Sequence, residues 1–392
     1  MKKPNVAIFR NSYLPYSETF IYDSIVRYKR FNPIVFAKKR INKDQFQIEN
    51  LVIPKKLKQS HKRDAFFYSV GIKSTRVAQT FAKYSPTIIH AHFAQSGILA
   101  IPYAQRFKTP LIVSLHGNDV GILLGSQKYK PKWWLYAASY RRLIKNTSLF
   151  LAGSTELKER FMELGCPADK ILVHRLGIDL DSLKKSPLNK PESDSIIVLM
   201  VGRLVEKKGF EYGIKAFARV VRKIEAPKML MKIAGSGPLR QHLENLVSDL
   251  DLKANVCFLG KLAHQEVKQI LAEEAHILLA PSVIAKNKDR DSGLIVAKEA
   301  AACEIPVIGS LHGGIPEIID DGKTGYLVPE RDIEQLANKL ESLVADQELM
   351  RKLGKAARLK MEKEYDIEQQ VAELEAIYEE QIQTLRSQQD RE

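Results

Sequence analysis

Short apolar runs alternate with amphipathic stretches along the whole chain. Continuous runs of Val, Ile and Leu predict strands buried on both faces, and apolar residues at helical spacing predict the helices that cover them. In the first half, strands are predicted at Val6–Phe9, Ile34–Phe36, Ile88–His90, Leu111–Leu115, Leu149–Ala152 and Ile171–His174. In the second half, they are predicted at Ile196–Val201, Met229–Ala234, Val256–Leu259, Ile277–Ala280, Pro306–Ile308 and Gly325–Val328. Helices are predicted between them, for example at Thr155–Leu164, Tyr212–Ile224, Leu239–Leu250 and Ile333–Leu343. This alternation predicts an α/β fold with parallel sheets.

The series of strands and helices restarts after a polar, proline-containing stretch from Lys184 to Ser195. A chain of 392 residues is also too long for one ordinary hydrophobic core. We therefore predict two facing Rossmann-like domains, residues 1–185 and 196–365, with a linker at 186–195. Residues 366–392 are predicted to form a charged helix that packs back on the N-terminal domain and frays at its end. Because ligands of open α/β sheets bind beyond the carboxyl ends of the strands, we expect the site in the interdomain cleft.

The composition is that of a folded protein, with 45% hydrophobic and 27% charged residues. No stretch approaches the roughly 18 apolar residues of a membrane-spanning helix, and the run Val6–Phe9 is too short for the core of a signal peptide. The three cysteines, Cys166, Cys257 and Cys303, share no C-x-x-C spacing, so neither a disulfide framework nor a zinc site is indicated. These features predict a cytoplasmic protein.

Positive charge is concentrated in the first half of the chain. Residues 1–185 carry 32 Lys and Arg against 12 Asp and Glu, whereas residues 186–392 carry 29 against 34. Such asymmetry suggests that the N-terminal half meets an anionic partner, although a basic surface that serves only solubility accounts for the charge equally well.

The segment VGRLVEKKGF, Val201–Phe210, is the clearest motif. It follows a predicted strand and opens a helix, a place where free backbone N–H groups and the helix dipole favour an anion. Gly202 permits close approach of a ligand, and Arg203 and Lys208 place two cations across the turn. The segment therefore predicts a phosphate-binding loop rather than a solvated charged turn.

A second motif places two acids, Asp291 and Glu299, eight residues apart. Glu299 lies in the apolar helical pattern LIVAKEAAA, so an idle surface position is less expected for it, and its carboxylate suits both hydroxyls of a ribose. The backbone of Ser292, Gly293, Leu294 and Ile295 is predicted to donate hydrogen bonds to phosphate or sugar oxygens. Gly313 and Gly314 mark a second place where only backbone lines the site.

Taken in order, these motifs resemble glycosyltransferase family 4, whose members have the GT-B architecture of two facing Rossmann-like domains. The resemblance covers nearly the whole chain. It rests on GRLVEKKGF, the acid pair, GGIPE and GKTGYLV in the second half, and on SETF (Ser17–Phe20), IIHAHFAQSG (Ile88–Gly97) and SLHGND (Ser114–Asp119) in the first. The SETF start is similar to the branch that builds bacterial exopolysaccharides and other surface glycans.

The resemblance implies a role for each matching residue. Arg203 and Lys208 would bind the donor diphosphate, Glu299 the ribose, and Asp291 the transferred sugar. His116 would lie near the reacting carbon, so that His116, Asp291, Arg203 and Lys208 form the expected catalytic set. The expected donor-binding set is Gly202, Arg203, Lys208, Gly235, Ser292, Gly293, Leu294, Ile295, Glu299, Gly313 and Gly314. The expected acceptor or cleft set is Ser17, Glu18, His92, Asn118 and Asp119.

Two positions depart from the family pattern. The first acid is Asp291 where the family has Glu, so its reach is shorter by one methylene. The loop after it is SGLI where the family has GFGL, which predicts different contacts to the donor sugar.

The reaction that the resemblance implies is transfer from a UDP- or GDP-sugar to a glycan or lipid-linked acceptor in cell-surface polysaccharide biosynthesis. It would retain the anomeric configuration and need no metal or other cofactor, because Arg203, Lys208 and helix-start amides can neutralise the leaving diphosphate. The D-x-D triplets at Asp179–Asp181 and Asp289–Asp291 are short enough to arise by chance. His90 and His92 are predicted to lie on opposite faces of a strand and, with no third ligand, to line the core or cleft rather than bind metal.

The basic half then suggests contact with an anionic membrane. Lys55, Lys56, Lys58, Lys62 and Arg63 precede three aromatic residues, and Lys128, Lys130 and Lys132 precede Trp133 and Trp134. Cations beside aromatic residues suit docking on acidic lipid, so a peripheral position on the inner face of the plasma membrane is expected.

Three other function classes stay open. A sugar-nucleotide epimerase of the same architecture would convert its substrate without an acceptor, and a non-catalytic relative would bind a nucleotide sugar without turnover. A nucleic-acid-binding protein would explain the basic half, but no helix-turn-helix, zinc finger or aromatic RNA-binding signature accompanies the charge, so no nucleic-acid partner is expected.

Overall fold

The computed structural model describes residues 3–15, 18–42, 46–54, 62–69, 71–183, 195–224, 228–291 and 293–390. The chain forms two compact units. Unit 1 comprises residues 1–177 and 367–392, and unit 2 comprises residues 178–366.

Unit 1 is built on a seven-stranded parallel sheet. Its strands are β1 (Asn5–Tyr13), β2 (Asn32–Arg40), β3 (Leu51–Val52), β4 (Ile88–His92), β5 (Leu111–Leu115), β6 (Leu149–Ala152) and β7 (Ile171–Val173). Its helices are α1 (Thr19–Ile25), α2 (Lys62–Ser69), α3 (Thr75–Tyr84), α4 (Ala94–Phe107), α5 (Asn118–Leu124), α6 (Trp134–Asn146), α7 (Thr155–Met162) and the C-terminal α15 (Ile367–Gln389). The strand order β3-β2-β1-β4-β5-β6-β7 reverses direction between β1 and β4, as in a doubly wound fold.

Both faces of this sheet are buried, which is why its strands lack polar alternation. Phe9 and Phe36 stack with ring centroids 5.1 Å apart on the face that α3 and α4 cover. On the other face, Val6 and Ile8 belong to a core that includes Tyr378 of α15. The Glu375 carboxylate of this helix accepts the backbone N–H groups of Arg30 and Phe31, so α15 is fastened to the sheet by polar as well as apolar contacts.

Unit 2 repeats the architecture with six parallel strands. They are β8 (Ser195–Val201), β9 (Lys228–Ala234), β10 (Val256–Gly260), β11 (Ile277–Ala280), β12 (Val307–Ser310) and β13 (Gly325–Val328). The helices are α8 (Phe210–Val221), α9 (Arg240–Asp249), α10 (His264–Glu273), α11 (Ile295–Ala302), α12 (Ile315–Ile318), α13 (Ile333–Ala345) and α14 (Gln347–Glu364). The order β10-β9-β8-β11-β12-β13 reverses between β8 and β11, and apolar clusters lie on both faces of the sheet.

The predicted α/β fold with two parallel sheets is confirmed, and a strand lies at each of the twelve predicted places. The structure adds β3, whose two residues are too few to produce a pattern. Residues 178–183 belong to unit 2, ahead of the boundary expected at 185, because Ile178, Leu180 and Leu183 are buried in its core. The predicted linker lies outside the described residues except for Ser195, the first residue of β8. No helix in the described parts of the chain is long and apolar enough to cross a bilayer.

Candidate functional site

The loop that follows β8 carries the first predicted motif of unit 2. It runs beside the end of β9, with the Gly202 N–H donating to the Ala234 carbonyl (3.0 Å) and the Leu204 N–H to the Ser236 carbonyl (3.0 Å). Gly235 has a φ of +147°, and a Cβ there would collide with the carbonyl oxygen of Gly202. Gly235, one of the glycines predicted to line the donor site, therefore allows the two loops to approach each other closely.

Two cations of this loop differ in their surroundings. The side chain of Arg203 is exposed and has no hydrogen-bond or ion-pair partner within the described ranges. Lys208 ends a short 3-10 turn, and its ammonium nitrogen lies 2.5 Å from Oδ2 of Asp291. The structure thus brings together two residues that lie 83 positions apart and that the sequence motifs singled out separately.

Asp291 is buried and remains ionised. Its Oδ2 also accepts the Ser282 hydroxyl at 3.1 Å. Burial alone would raise the pKa of this carboxyl, but the ammonium groups of Lys208 and Lys207 and two side-chain hydrogen bonds outweigh it, so the pKa lies below its ordinary value. The loop of Lys208 follows β8, and the loop of Asp291 follows β11. The Lys208–Asp291 pair therefore lies where the strand order reverses, which is the usual ligand position in such sheets.

Lys207 fixes the loop that carries Asp291. Its buried ammonium group donates to Oδ1 of Asp289 (3.1 Å) and to the carbonyl of Arg290 (2.9 Å). Sequence reasoning passed over Lys207 because adjacent lysines usually point to solvent. Its partner Asp289 belongs to the D-R-D triplet, which therefore forms ion pairs with two lysines.

A histidine that the sequence motifs did not single out supports Asp291 from its other side. The Asp291 N–H donates to Nε2 of His312 (3.0 Å), and Nδ1 of His312 lies 2.7 Å from Oε1 of Glu330. Because Nε2 accepts a hydrogen bond, the proton of a neutral His312 is on Nδ1, where it is donated to Glu330. The position of His312 directly before the two glycines of HGGIPE was the available signal.

The glycine pair is built into the same corner. Gly313 has a φ of +53°, and a Cβ there would collide with the backbone oxygen of Asp291. Gly314 precedes α12. Gly313 therefore lets the loop after β12 lie directly against the Asp291 backbone.

Glu299 is buried on α11, and its Oε1 accepts a hydrogen bond from Nε2 of His264 at 2.5 Å. Gly293 and Leu294 precede the helix. The Ile295 N–H donates to the Gly293 carbonyl at 3.0 Å, so this predicted phosphate donor is already engaged. Ser292 lies outside the described residues.

In unit 1, His116 follows β5 and belongs to an aromatic and charged cluster. Its Nε2 lies 3.3 Å from Nδ1 of His92, and its ring centroid lies 4.4 Å from that of Phe93. Arg10, also buried, donates to the His92 carbonyl and is paired with Glu18. Ser17 lies outside the described residues.

Asp119 positions this cluster rather than facing solvent. One carboxylate oxygen accepts the N–H of Ala94 (3.0 Å), and the other accepts the N–H groups of His116 (3.2 Å) and Val120 (3.1 Å). It thereby ties the loop after β5 to the start of α4. The neighbouring Asn118 is exposed.

Burial keeps the imidazoles of His90, His92 and His116 neutral. It lowers the pKa of His90 to about 3 and the pKa values of His92 and His116 well below the ordinary value. Burial also lowers the pKa of Arg10 to about 9. The expectation that His90 and His92 lie on opposite faces of the strand is wrong: their ring centroids are 4.3 Å apart, because residues i and i+2 of a strand share a face.

The described part of the chain holds no group of three or more His, Cys, Asp and Glu side chains that could hold a metal ion. In unit 2, the loops after β8, β11 and β12 bring together the exposed Arg203, the paired Lys208 and the buried carboxylate of Asp291. This arrangement can receive a phosphate group and hydroxyl groups together.

The chain matches known protein families along most of its length. A family described as "Glycosyl transferases group 1" matches residues 182–360, and one described as "Glycosyltransferase Family 4" matches residues 29–182. The putative colanic acid biosynthesis glycosyltransferase WcaL of Escherichia coli K12 is 30% identical over 303 residues, which are 76% of this chain and 71% of that protein. The amylovoran biosynthesis glycosyltransferase AmsK of Erwinia amylovora is 29% identical over 327 residues, 81% of this chain and 77% of that protein.

Solved structures share the fold. Sucrose-phosphate synthase of Thermosynechococcus elongatus superimposes with a TM-score of 0.74 at 20% identity, covering 97% of this chain and 99% of that one. Anabaena HepE, solved in complex with UDP-glucose, superimposes with a TM-score of 0.73 at 21% identity, covering 95% and 99%. At these identities the likeness establishes the two-sheet architecture.

Proposed function

We propose that this chain, which belongs to the family 4 glycosyltransferases and has their GT-B fold, transfers a sugar from a nucleotide-diphosphate sugar to a glycan or lipid-linked acceptor. The transfer would retain the anomeric configuration and need no metal ion. The product would enter cell-surface polysaccharide biosynthesis, as the names of the colanic acid and amylovoran relatives suggest.

The contact between Lys208 and Asp291 carries the proposal. A donor needs cations for its diphosphate and acceptors for the hydroxyls of its sugar, and these two side chains supply one of each at the strand-order reversal of unit 2. The exposed Arg203 adds a guanidinium that can hold phosphate bidentately. Because charge develops on the departing diphosphate, cations already in place would lower the barrier without a metal.

Glu299 is proposed to hold the ribose. Its carboxylate is buried, and His264 orients one of its oxygens by a hydrogen bond at 2.5 Å. The second oxygen is proposed to accept the ribose hydroxyls, and a fixed carboxylate loses little entropy on binding them. His116, kept neutral by burial, is proposed to hold a hydroxyl of the transferred sugar rather than to add a positive charge there.

Thermal unfolding with UDP, GDP and ADP, each with and without EDTA, tests the donor site. A ligand at 100 times its Kd should stabilise the protein by about 2.7 kcal/mol. UDP is the first choice, because HepE was crystallised with UDP-glucose. Stabilisation by one nucleotide that resists EDTA and is lost in Arg203→Ala would support the site. No stabilisation by any of them would contradict it.

Stereochemistry and acceptor dependence test the reaction itself. With the selected donor, NMR of the product should show the same anomeric configuration as the donor, and turnover should be unchanged by EDTA. Conversion of the nucleotide sugar without acceptor would instead favour an epimerase, and binding without conversion would favour a non-catalytic relative.

A surface of unit 1 is proposed to dock on anionic lipid. Lys128 and Lys132 lie over the rings of Tyr129 and Trp133, each 5.3 Å from the ring centroid. Three large apolar side chains are exposed nearby, Tyr129 by 70%, Trp134 by 60% and Leu135 by 53%. Cations and exposed aromatic residues together suit the headgroup region of a membrane. The cluster Lys55–Arg63 lies outside the described residues or has no described side chains.

Sedimentation with vesicles tests this surface. The vesicles contain about 30 mol% acidic lipid, so that their surface is anionic like that of a cytoplasmic leaflet. Binding to them should be lost in Trp134→Ala and at high salt. Ile72→Ala is the control, since Ile72 is exposed by 51% but lies at the start of the loop before α3. Equal binding by both variants would contradict the assignment.

A further inference from the structure

Unit 1 contains a cavity of about 390 Å³ at the carboxyl ends of β1 and β2. Its lining includes Asn11 of β1, Lys38 and Lys39 of β2, and Tyr68 and Ser69 at the end of α2. The end of a parallel strand is the usual place for a ligand in such sheets, and the volume is in the range of small-molecule sites. None of these residues belongs to the donor site or to the cluster around His116.

The charge of the cavity is uncompensated. The ammonium group of Lys38 donates to the backbone carbonyl of Ser69 at 2.7 Å, and this is its one partner in the described parts of the chain. Lys39 is exposed and has no partner there. No carboxylate is among the described residues that line the cavity. Burial lowers the pKa of Lys38, and no carboxylate among the described lining residues offsets this effect.

Two residues that line the cavity also carry buried polar atoms without partners. Tyr68 is 1% exposed, and its buried hydroxyl has no hydrogen-bond partner. The buried side-chain oxygen of Asn11 also has none. Buried polar groups are satisfied in nearly all native structures, so two unpaired polar atoms in residues that share the cavity lining with Lys38 favour a polar ligand there.

We propose that this cavity binds an anionic group, phosphate or carboxylate, on the acceptor. The assignment to the acceptor rests on the proposed function, because the donor diphosphate is assigned to Arg203 and Lys208 of unit 2. The two lysines would hold the anion, and Tyr68 would donate its free hydroxyl proton to it. A neutral glycan would leave the Lys38 charge and the Tyr68 hydroxyl unsatisfied, so the enzyme would select charged acceptors.

Calorimetry with the full chain tests the cavity separately from the donor site. The probes are glucose 6-phosphate, glucuronate, neutral glucose and UDP, and the variants are Lys38→Met, Arg203→Ala and the control Lys83→Met, which removes an exposed lysine of α3 in the same unit. One or both anionic sugars should bind, and neutral glucose at least ten-fold more weakly. Lys38→Met should weaken the anionic sugar about ten-fold or more, whereas Arg203→Ala and Lys83→Met should leave it unchanged.

The outcomes separate the two assignments. Three results would overturn the assignment of the cavity as an anion site. They are unchanged binding of the anionic sugar in Lys38→Met, an equal loss of binding in Lys83→Met, and no binding of either anionic sugar. Preference between phosphate and carboxylate identifies the acceptor group. Unchanged UDP binding in Arg203→Ala counts against the donor site alone. Circular dichroism of each variant shows that it is folded, and Lys38→Gln serves as a second variant if Lys38→Met is not.

Discussion

The ammonium group of Lys208 neutralises the buried carboxylate of Asp291 across 2.5 Å, although the two residues come from loops after different strands. Their side chains are exposed by 17% and 10%, so neither charge is well solvated. The pair therefore has two effects that can be separated: it stabilises unit 2, and it presents a cation and a carboxylate to a ligand.

Removing either member alone should cost both stability and activity. Lys208→Met leaves the Asp291 carboxylate short of its nearest cation, so we expect a loss of about 3 kcal/mol in the free energy of unfolding and a loss of turnover of at least about 100-fold. In Lys208→Met/Asp291→Asn the unpaired charge is gone, so much of the stability should return while turnover stays low. Calorimetric unfolding and transfer rates measure the two effects.

The control for this cycle is Lys215→Met, which breaks the half-buried i, i+4 pair with Glu211 on α8. Such a pair contributes about 0–1 kcal/mol, so little change is expected. Additive losses in the double variant would show that the two side chains do not interact.

The stability that Asp291 provides should depend on acidity. Its pKa is lowered in the fold, so the stabilisation is fully present above the ordinary carboxyl pKa of about 3.9 and is lost as the pH falls through the lower folded value. The difference in Tm between wild type and Asp291→Asn should thus be constant from pH 7 to pH 5 and shrink towards pH 3. Asp249→Asn, at an exposed position of α9, should give no difference at any of these pH values. A constant Asp291→Asn difference down to pH 3 would refute the ion pair.

The strands were predictable because burial on both faces leaves a continuous apolar run, a local signal that needs no knowledge of neighbours. The two-residue β3 gives no such signal, since its pairing with Val35 and Phe36 comes from the rest of the sheet. The boundary of unit 2 was also not local. Ile178, Leu180 and Leu183 look like an apolar end of the preceding segment, and only their packing shows which core they enter.

The residues of the candidate site that lie in a single loop were predictable, but the contacts between residues of different loops were not. Arg203 and Lys208 share a motif, but no local pattern indicates that Lys208 contacts Asp291 or that His312 accepts the Asp291 N–H. Asp119 was placed in the acceptor or cleft set from its motif, and its three hydrogen bonds to backbone N–H groups inside unit 1 are visible only in the fold. Such roles depend on which loops the sheet order places side by side.

His312 should act on donor binding through Asp291. Replacing it by Leu removes the acceptor for the Asp291 N–H and leaves Glu330 without its imidazole partner. We expect His312→Leu to raise the KM for the donor about ten-fold or more, because a misplaced Asp291 loop loses ligand contacts. His312→Gln can accept and donate in the same places and should recover part of the affinity. Equal donor KM values for the Leu and Gln variants would show that the histidine only fills space.

Buried neutral His90 should make unit 1 sensitive to mild acid. Its ring nitrogens lie 2.5 Å from the Tyr378 hydroxyl and 2.7 Å from the Ser114 hydroxyl, and its pKa is lowered to about 3 by burial. A lowered histidine pKa means that the unfolded chain binds the proton first, so stability is complete above pH 6.5 and falls as the pH drops below it. Between pH 7 and pH 5 this one residue should remove about 2 kcal/mol.

His90→Gln keeps polar partners for both hydroxyls but cannot take up the proton, so its unfolding free energy should fall less steeply over the same range. Both tryptophans of the chain, Trp133 and Trp134, lie in unit 1, so their fluorescence in urea titrations at pH 7, 6 and 5 follows this unit. His242→Gln, on the surface of α9, should leave the fluorescence-detected slope unchanged. If wild type and His90→Gln lose stability in parallel, the acid sensitivity comes from His92, His116, His174 or carboxylates, and the proton is not excluded at His90.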